Sequence, residues 1–404
     1  MSAIVSIGTY LPPWQSGGKR VPGPDEDALT MAVAAGRAAD PTGGATRVVL
    51  VSRDFPLLEG GNAAVLLAGL SLAADVAVTE VLGGAPAVLD QLAEAPDGTL
   101  VIAAEASTGA AGAAAALTGE SGPAVRVLAR QNRSLPTVVR GVDGVRHIYG
   151  DSRLERDFGV HGALTQLDLA GPGPVVGIVG AKSAQLEPQW DTSTARAEVT
   201  SSAAGALRSI AHGIERGASG WIVAVEQSSV TVVELAVDHR TTPVVRDEGP
   251  ARELPAIIRT SGTGIPISLA AYARAFDPKL RWEAAVFTET SGVDSQPVFP
   301  PRLRVDSAGR LVNAARMQPL PRTGTVYTHS TVRIAVPDLP SPYSLAVVQL
   351  DDSPVRVLLK VTGVPAGEME IGQPGAVVFR RIAMRTGIPD YGYAFWPGKQ
   401  GAAA

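Results

Sequence analysis

Short apolar runs alternate with helical stripes from the N-terminus to about residue 236, and this alternation restricts the fold more than any other feature of the chain. The runs Ala3–Ile7, Arg47–Ser52, Thr99–Ala103, Pro174–Val179, Gly220–Val225 and Val230–Ala236 read as strands. The stretches Glu26–Ala38, Asn62–Leu72, Ala85–Leu92 and Ser202–Ile214 read as helices. Strands that are apolar at nearly every position have to be covered on both faces, which predicts an α/β fold with a buried sheet. The last helix carries Ala203, Leu207, Ile210, Ala211 and Ile214 on one stripe, with Thr200 and Ser201 as N-cap candidates. The strand–helix–strand pattern occurs once before about residue 110 and again after about residue 172, compatible with two related halves, although no sequence repeat joins them.

The texture changes near Ala285. Short alternating strands take over at Gly324–Ile334, Ser344–Leu350, Val355–Val361 and Ala376–Arg381, punctuated by Gly, Pro and Asp, as in a small β-barrel. The expected division is a first half over 1–110, a variable charged insertion over 111–171, a second half over 172–284, a linker over 285–323 and a barrel over 324–398. The insertion interleaves arginines such as Arg126, Arg130 and Arg153 with aspartates such as Asp151, which reads first as a solvated, salt-bridged surface. Contact with a phosphate-bearing ligand is the alternative there.

Composition excludes several function classes. The chain is 45% hydrophobic and 18% charged, with a formal net charge of −4, so it has no global attraction for nucleic acid or an anionic membrane. It contains no cysteine, which rules out disulfides, a thiol nucleophile and any thiolate metal site. No signal-like leader is visible, and the most apolar stretch is too short for a bilayer helix, so a soluble cytoplasmic protein is expected.

Particular motifs sharpen this reading. Gly8-Thr9-Tyr10-Leu11-Pro12, the acidic Asp25-Glu26-Asp27 before the first helix, the strand Val48–Ser52 and the turn Gly83-Gly84-Ala85-Pro86 resemble the opening of thiolase-superfamily condensing enzymes, the HMG-CoA synthase and ketoacyl-ACP synthase III-like proteins. That resemblance implies a layered α-β-α-β-α body that condenses or transfers acyl groups from acyl-CoA. It places the nucleophilic cysteine on Leu82, the catalytic glutamate on Arg53 (or Asp54, with a register one residue later) and the catalytic asparagine on Val199. The expected histidine stretch near Val175–Gly180 holds no histidine. A nucleophile at a helix N-terminus needs a lone pair that the helix field can stabilise as an anion. Leucine has none, and the reading expects Leu82 only to pack.

The C-terminal motifs Phe299-Pro300-Pro301-Arg302 and Ile371-Gly372-Gln373-Pro374-Gly375 resemble the zinc-ribbon/OB-fold domain that accompanies many such enzymes. The resemblance puts its four cysteine ligands on Thr288, Ser291, Val305 and Ala308, beside the surviving Gly292 and Gly309. Those side chains cannot replace thiolates, so no zinc is expected.

The remaining candidates are weaker. Ser201 and Ser202 are hydroxyls at a helix start, where capping is the commoner role. His147 and Tyr149 read as surface, His212 as a boundary residue, and Tyr327 with His329 as a solvated strand face. Arg302 and Arg304 are candidates for coenzyme A phosphate contact. Two functions follow from the resemblance. One is a non-catalytic subunit that pairs with a cysteine-bearing thiolase or ketosynthase-like partner, or with itself. The other is an acyl-CoA enzyme using Ser201, Ser202 or Asp54 without cysteine. A nucleic-acid-binding barrel ranks third, because interleaved aromatic and basic residues are lacking.

Overall fold

The structure is a computed structural model. It describes residues 2–107, 109–132, 138–140, 145–151, 153, 160–167, 169, 173–186, 190–198, 202–227, 229–238, 242–262, 276–287, 296–302, 304–306, 308–313, 316–337, 339–385 and 387–400.

The buried strands expected from the apolar runs all join one eleven-stranded sheet. Its members are β1 (Ser2–Tyr10), β2 (Arg47–Ser52), β3 (Ala77–Leu82), β4 (Thr99–Glu105), β5 (Gly112–Gly119), β6 (Ala124–Gln131), β7 (Val175–Val179), β8 (Arg196–Glu198), β9 (Gly220–Glu226), β10 (Ser229–Ala236) and β11 (Val244–Asp247). The order is β8-β7-β9-β10-β6-β1-β5-β4-β2-β3, with β11 added beside β1. From the centre outward one arm runs β1, β5, β4, β2, β3 and the other runs β6, β10, β9, β7, β8, the same rank order in each. In both arms the outer three strands are parallel and the next inner one is antiparallel. The two-halves expectation is therefore visible as topology without any sequence repeat.

The domain boundaries need correction. Residues 112–131, read as the start of a variable insertion, are β5 and β6 of the central sheet. β5 completes the first arm and β6 opens the second, so the second half begins before residue 172. β5 escaped notice because Gly112-Ala113-Ala114-Ala115-Ala116 lacks the β-branched residues that signal a strand. Its small side chains let helices approach both faces closely.

The longer helices that sandwich these arms are α1 (Ala28–Ala39), α2 (Asn62–Leu70), α3 (Ala85–Glu94) and α4 (Ala203–Glu215), and the short helix Val160–Leu164 covers the outer face of the second arm. α1 starts at a capping box, where the Asp27 side chain accepts from the Thr30 N–H and the Thr30 hydroxyl accepts from the Asp27 N–H. It lies so close to β1 that a Cβ on Gly8 would stand 2.3 Å from the Ala35 carbonyl. α3 and α4 lie against each other between the arms, each also packed on strands of the opposite arm. Val88, Leu89 and Leu92 of α3 and Leu207 and Ile210 of α4 are fully buried in the core they share with both arms. Two arms around a central helix pair, with further helices outside, is the layered α-β-α-β-α arrangement.

The C-terminal strands β12 (Thr323–Val332), β13 (Tyr343–Leu350), β14 (Arg356–Val361), β15 (Pro374–Arg385) and β16 (Ile388–Pro397) close into a barrel ordered β12-β13-β14-β16-β15. This is an OB-type barrel. It is not a free appendage. Phe379, Tyr391, Tyr393 and Phe395 of the barrel belong to the same apolar core as Leu29, Val33, Leu66 and Leu100 of the body. Polar bonds reinforce that seam. Arg380 of β15 is 1% exposed, donates to the Tyr10 hydroxyl at 2.8 Å and pairs with Glu26 at 3.2 Å. The Tyr391 hydroxyl donates to Asp27 at 2.9 Å, and the Arg381 N–H to the Asp25 carbonyl at 2.9 Å. The opening turn and acidic segment thus form the dock for the barrel.

Candidate functional site: a carboxylate bridge at two helix N-termini

In open α/β sheets, chemistry gathers at the carboxyl ends of the strands, where helix N-termini also point. Here β2 is followed by Arg53, while β4 and β9 end at Glu105 and Glu226. The three side chains meet. Arg53 grips Glu105 with both arms of its guanidinium, Nε to Oε1 at 2.6 Å and Nη2 to Oε2 at 2.9 Å. Its Nη1 donates to Glu226 Oε1 at 2.8 Å. Glu226 Oε2 in turn accepts the Gly84 N–H at the start of α3, at 2.8 Å. Glu105 lies against the Ala203 N–H at the first turn of α4, which favours its ionised form.

Both central helices therefore direct their N-termini into one ionic bridge, each against a carboxylate. Each helix end carries roughly half a positive charge. Together with Arg53 these nearly balance the two carboxylates, which leaves little field to stabilise a new anion. Glu105 is fully buried, and burial pushes its carboxyl up, opposed by Arg53 and the Ala203 N–H. Burial alone would lower the Arg53 guanidinium, but its bonds to Glu105 and Glu226 hold it above its ordinary value. The space is closed sterically as well. A Cβ on Gly84 would sit 2.5 Å from Glu226 Oε2, so no side chain fits at that helix start without expelling the carboxylate.

The expected site residues divide sharply. Arg53 and Ser202 do come to the helix ends, and Asp54 lies near enough to Glu105 for its charge to push that carboxyl up. Asp54 accepts the N–H groups of Ala106 and Ser107 at 3.1 and 3.0 Å. Ser202 is the N-cap of α4, but its hydroxyl makes no cap bond and donates to the Ala110 carbonyl at 3.3 Å. Thr200, Ser201 and Val199 lie outside the described residues. Leu82 is a correction. It ends β3 at the sheet margin and is 78% exposed, so it neither packs nor plugs anything. Glu105 and Glu226 were not singled out from sequence. Their signal was a carboxylate closing an otherwise apolar strand, which is costly unless a partner waits there.

A Leu82→Cys substitution tests the placement. The thiol should alkylate with an ordinary cysteine pKa of about 8.5, and intact mass after exposure to acyl-CoA should show no adduct. A strongly depressed pKa together with an acyl adduct would mean that position 82 feels the helix field after all.

The other candidates fall outside this bridge. Val305 and Ala308 stand on a hairpin pairing Arg304–Val305 with Leu311–Val312, its turn held by Asp306, which accepts the Ala308 and Arg310 N–H groups. Neither carries a donor atom, so these two positions do not fit a zinc ligand set; Thr288 and Ser291 lie outside the described residues. Arg302 is exposed, and Arg304 keeps a buried Nε without a partner among the described residues. Within the arginine-rich segment, Arg126 pairs with Glu234 at 2.7 Å, Arg130 with Asp90 at 2.6 Å and Arg153 with Asp151 at 2.8 Å, as a salt-bridged surface should. His147 and Tyr149 are exposed, and His212 is half-buried beside Arg196. Burial and that arginine lower its imidazole. Tyr327 is exposed with the Arg356 guanidinium 3.9 Å over its ring, and His329 is half-buried. No helix among the described residues is long and apolar enough to cross a membrane.

Fold and site define a two-armed, layered α/β body, built around an ionic bridge, that carries an OB-type barrel. Residues 317–380 match the family described as ChsH2, C-terminal OB-fold domain, in agreement with the barrel. Among solved structures, 3-oxoacyl-[acyl-carrier-protein] synthase III from Aquifex aeolicus is 14% identical with a TM-score of 0.45, covering 58% of this chain and 100% of its own. Cerulenin-bound OleA from Xanthomonas campestris is 12% identical with a TM-score of 0.45, covering 58% and 96%. ChlB3, titled an acyltransferase, is 15% identical with a TM-score of 0.43, covering 60% and 99%. No curated protein matches the chain by sequence.

Proposed function

We propose that this chain is a cytoplasmic, non-catalytic subunit of an acyl-CoA condensing or acyl-transfer assembly, supplying an OB barrel and a sheet margin to a cysteine-bearing thiolase or ketosynthase-like partner. The observation that carries the reading is the Arg53–Glu105–Glu226 bridge. An acyl-transfer site needs a nucleophile and unspent N–H donors aimed at a developing oxyanion. Here the N–H groups of Gly84 and Ala203 face internal carboxylates, and the chain has no thiol. Acyl-CoA would then be a ligand of the assembly, and the ribbon would bind no zinc.

The partner surface in this reading is β3. It is one of the two terminal strands, paired with β2 on one side and with no strand on the other among the described residues, and its Ala77, Thr79 and Leu82 are exposed. An uncovered strand edge ending in an exposed leucine invites pairing with another chain. Co-expression with a cysteine-bearing condensing enzyme, followed by native mass spectrometry, should yield a stable hetero-oligomer, and Leu82→Lys should weaken it about tenfold, the order of one lost hot-spot contact. The chain alone should show no acyl-enzyme and no burst with acyl-CoA. Turnover by the isolated chain, or elution of the two proteins as independent species, would overturn the reading.

A further inference from the structure

The body and barrel enclose a cleft remote from the ionic bridge. Its roof is the segment 255–259, anchored at both ends. At one end Arg252–Glu253 pairs with Trp14–Gln15, and at the other Ile258 exchanges backbone hydrogen bonds with Ser341 at 2.7 and 3.0 Å. Beneath it lie β13, β14 and β15 of the barrel, and the cleft holds about 750 Å³ of empty space counted out to its open mouth. Three cationic side chains, Lys360, Arg259 and Arg381, line it against one carboxylate, Asp25, and Arg381 is also paired with Asp27 at 3.6 Å, which leaves Lys360 and Arg259 as the cations for a ligand. That is a local positive excess on a chain whose net charge is −4.

Lys360 is the central group. Its ammonium donates to the Ile382 carbonyl at 3.1 Å and stands 5.4 Å from the Tyr343 ring centre, with no carboxylate in ion-pair range among the described residues. An ammonium has three donors, and one carbonyl uses one. A desolvated lysine with spare donors gains most from an anion that enters the cleft. Arg259 is exposed at the same cleft and likewise pairs with no carboxylate among the described residues. Trp14, Ile257 and Met384 supply an apolar wall beside these charges.

We propose that this cleft binds a small organic anion, with its phosphate or carboxylate head between Lys360 and Arg259 and its apolar body against Trp14 and Met384. The site is independent of the subunit role. An anion requires Lys360 to be protonated. Burial lowers the ammonium, Asp25 raises it and Arg259 lowers it further, with Arg381 and Tyr343 also facing the cleft. Binding should therefore fall as pH rises through a range below the usual lysine value of about 10.4.

The test is calorimetric titration of the full chain with octyl phosphate, octanoate and uncharged octanol. Saturable binding of either anion but not octanol is expected. Lys360→Met should weaken it about tenfold or more, as loss of a desolvated charged contact does. Arg259→Ala, a surface change that leaves folding intact, should weaken it several-fold, while Arg310→Ala on the remote hairpin should change nothing. Tighter binding of octyl phosphate would assign a phosphate head, and of octanoate a carboxylate. No saturable anion binding, equal binding of octanol, or affinity unaltered in both cleft variants would overturn the proposal.

Discussion

Arg380→Met should destabilise the protein by about 3–5 kcal/mol, the cost of leaving a buried carboxylate without its cation. Glu26 and Arg380 are each 1% exposed, and the variant would leave Glu26 with the Tyr10 hydroxyl and the Gly23 N–H alone. Urea unfolding would measure the loss, and proteolysis should cut faster around residues 23–27, because the barrel docks there. The deficit should depend on pH with a definite sign. Burial already pushes the Glu26 carboxyl up even with Arg380 opposing it. Without Arg380 the folded form retains a proton that the unfolded chain, with a value of about 4.3, has lost. Folding then binds a proton, so stability falls as pH rises through that interval and recovers on mild acidification. Glu26→Leu with Arg380→Met should lose less than Arg380→Met alone, since a matched apolar pair removes the stranded charge. A double variant no better than the single one would mean that the pair is not what holds the seam.

Arg53→Met should cost about 3 kcal/mol, toward the lower end of the same range because the arginine side chain is 30% exposed while Glu105 is not exposed at all. By contrast Arg126→Ala, which breaks an exposed pair with Glu234, should cost less than about 1 kcal/mol. The Arg53 variant should stay inactive toward acyl-CoA. Loss of stability without any acyl transfer is what a structural clamp predicts. A variant of unchanged stability would show that the bridge contributes nothing net, and the closed-site account would fail with it.

Much of the fold was legible along the chain. Arg47–Ser52 matches its strand residue for residue, and the helices beginning at Asn62 and Ala85 start where expected. These elements carry their own local signals, either a continuous apolar run or a small-residue turn before a helix. β5 and β6 did not, because alanines signal helix more than strand, and arginine-bearing alternation looks like surface until a partner strand covers it. The final barrel strand, Ile388–Pro397, was missed for a similar reason, since Pro389 and Gly392 interrupt its pattern although it is buried over most of its length. Leu82 was legible as a residue without chemistry, but its exposure was not, because a leucine by itself says nothing about which sheet margin it ends on.

A chain without sulfur cannot build a thiolate, and apolar runs at this spacing must become covered strands; both conclusions need nothing beyond covalent chemistry and hydrophobicity. Which charges meet is a different kind of fact. Arg53 finds Glu105 across 52 residues and Glu226 across 173, and Arg380 reaches Tyr10 across 370. Coulomb attraction and desolvation act through space, so only the folded arrangement of strands decided that two helix ends share one bridge and that the barrel and the body share one core.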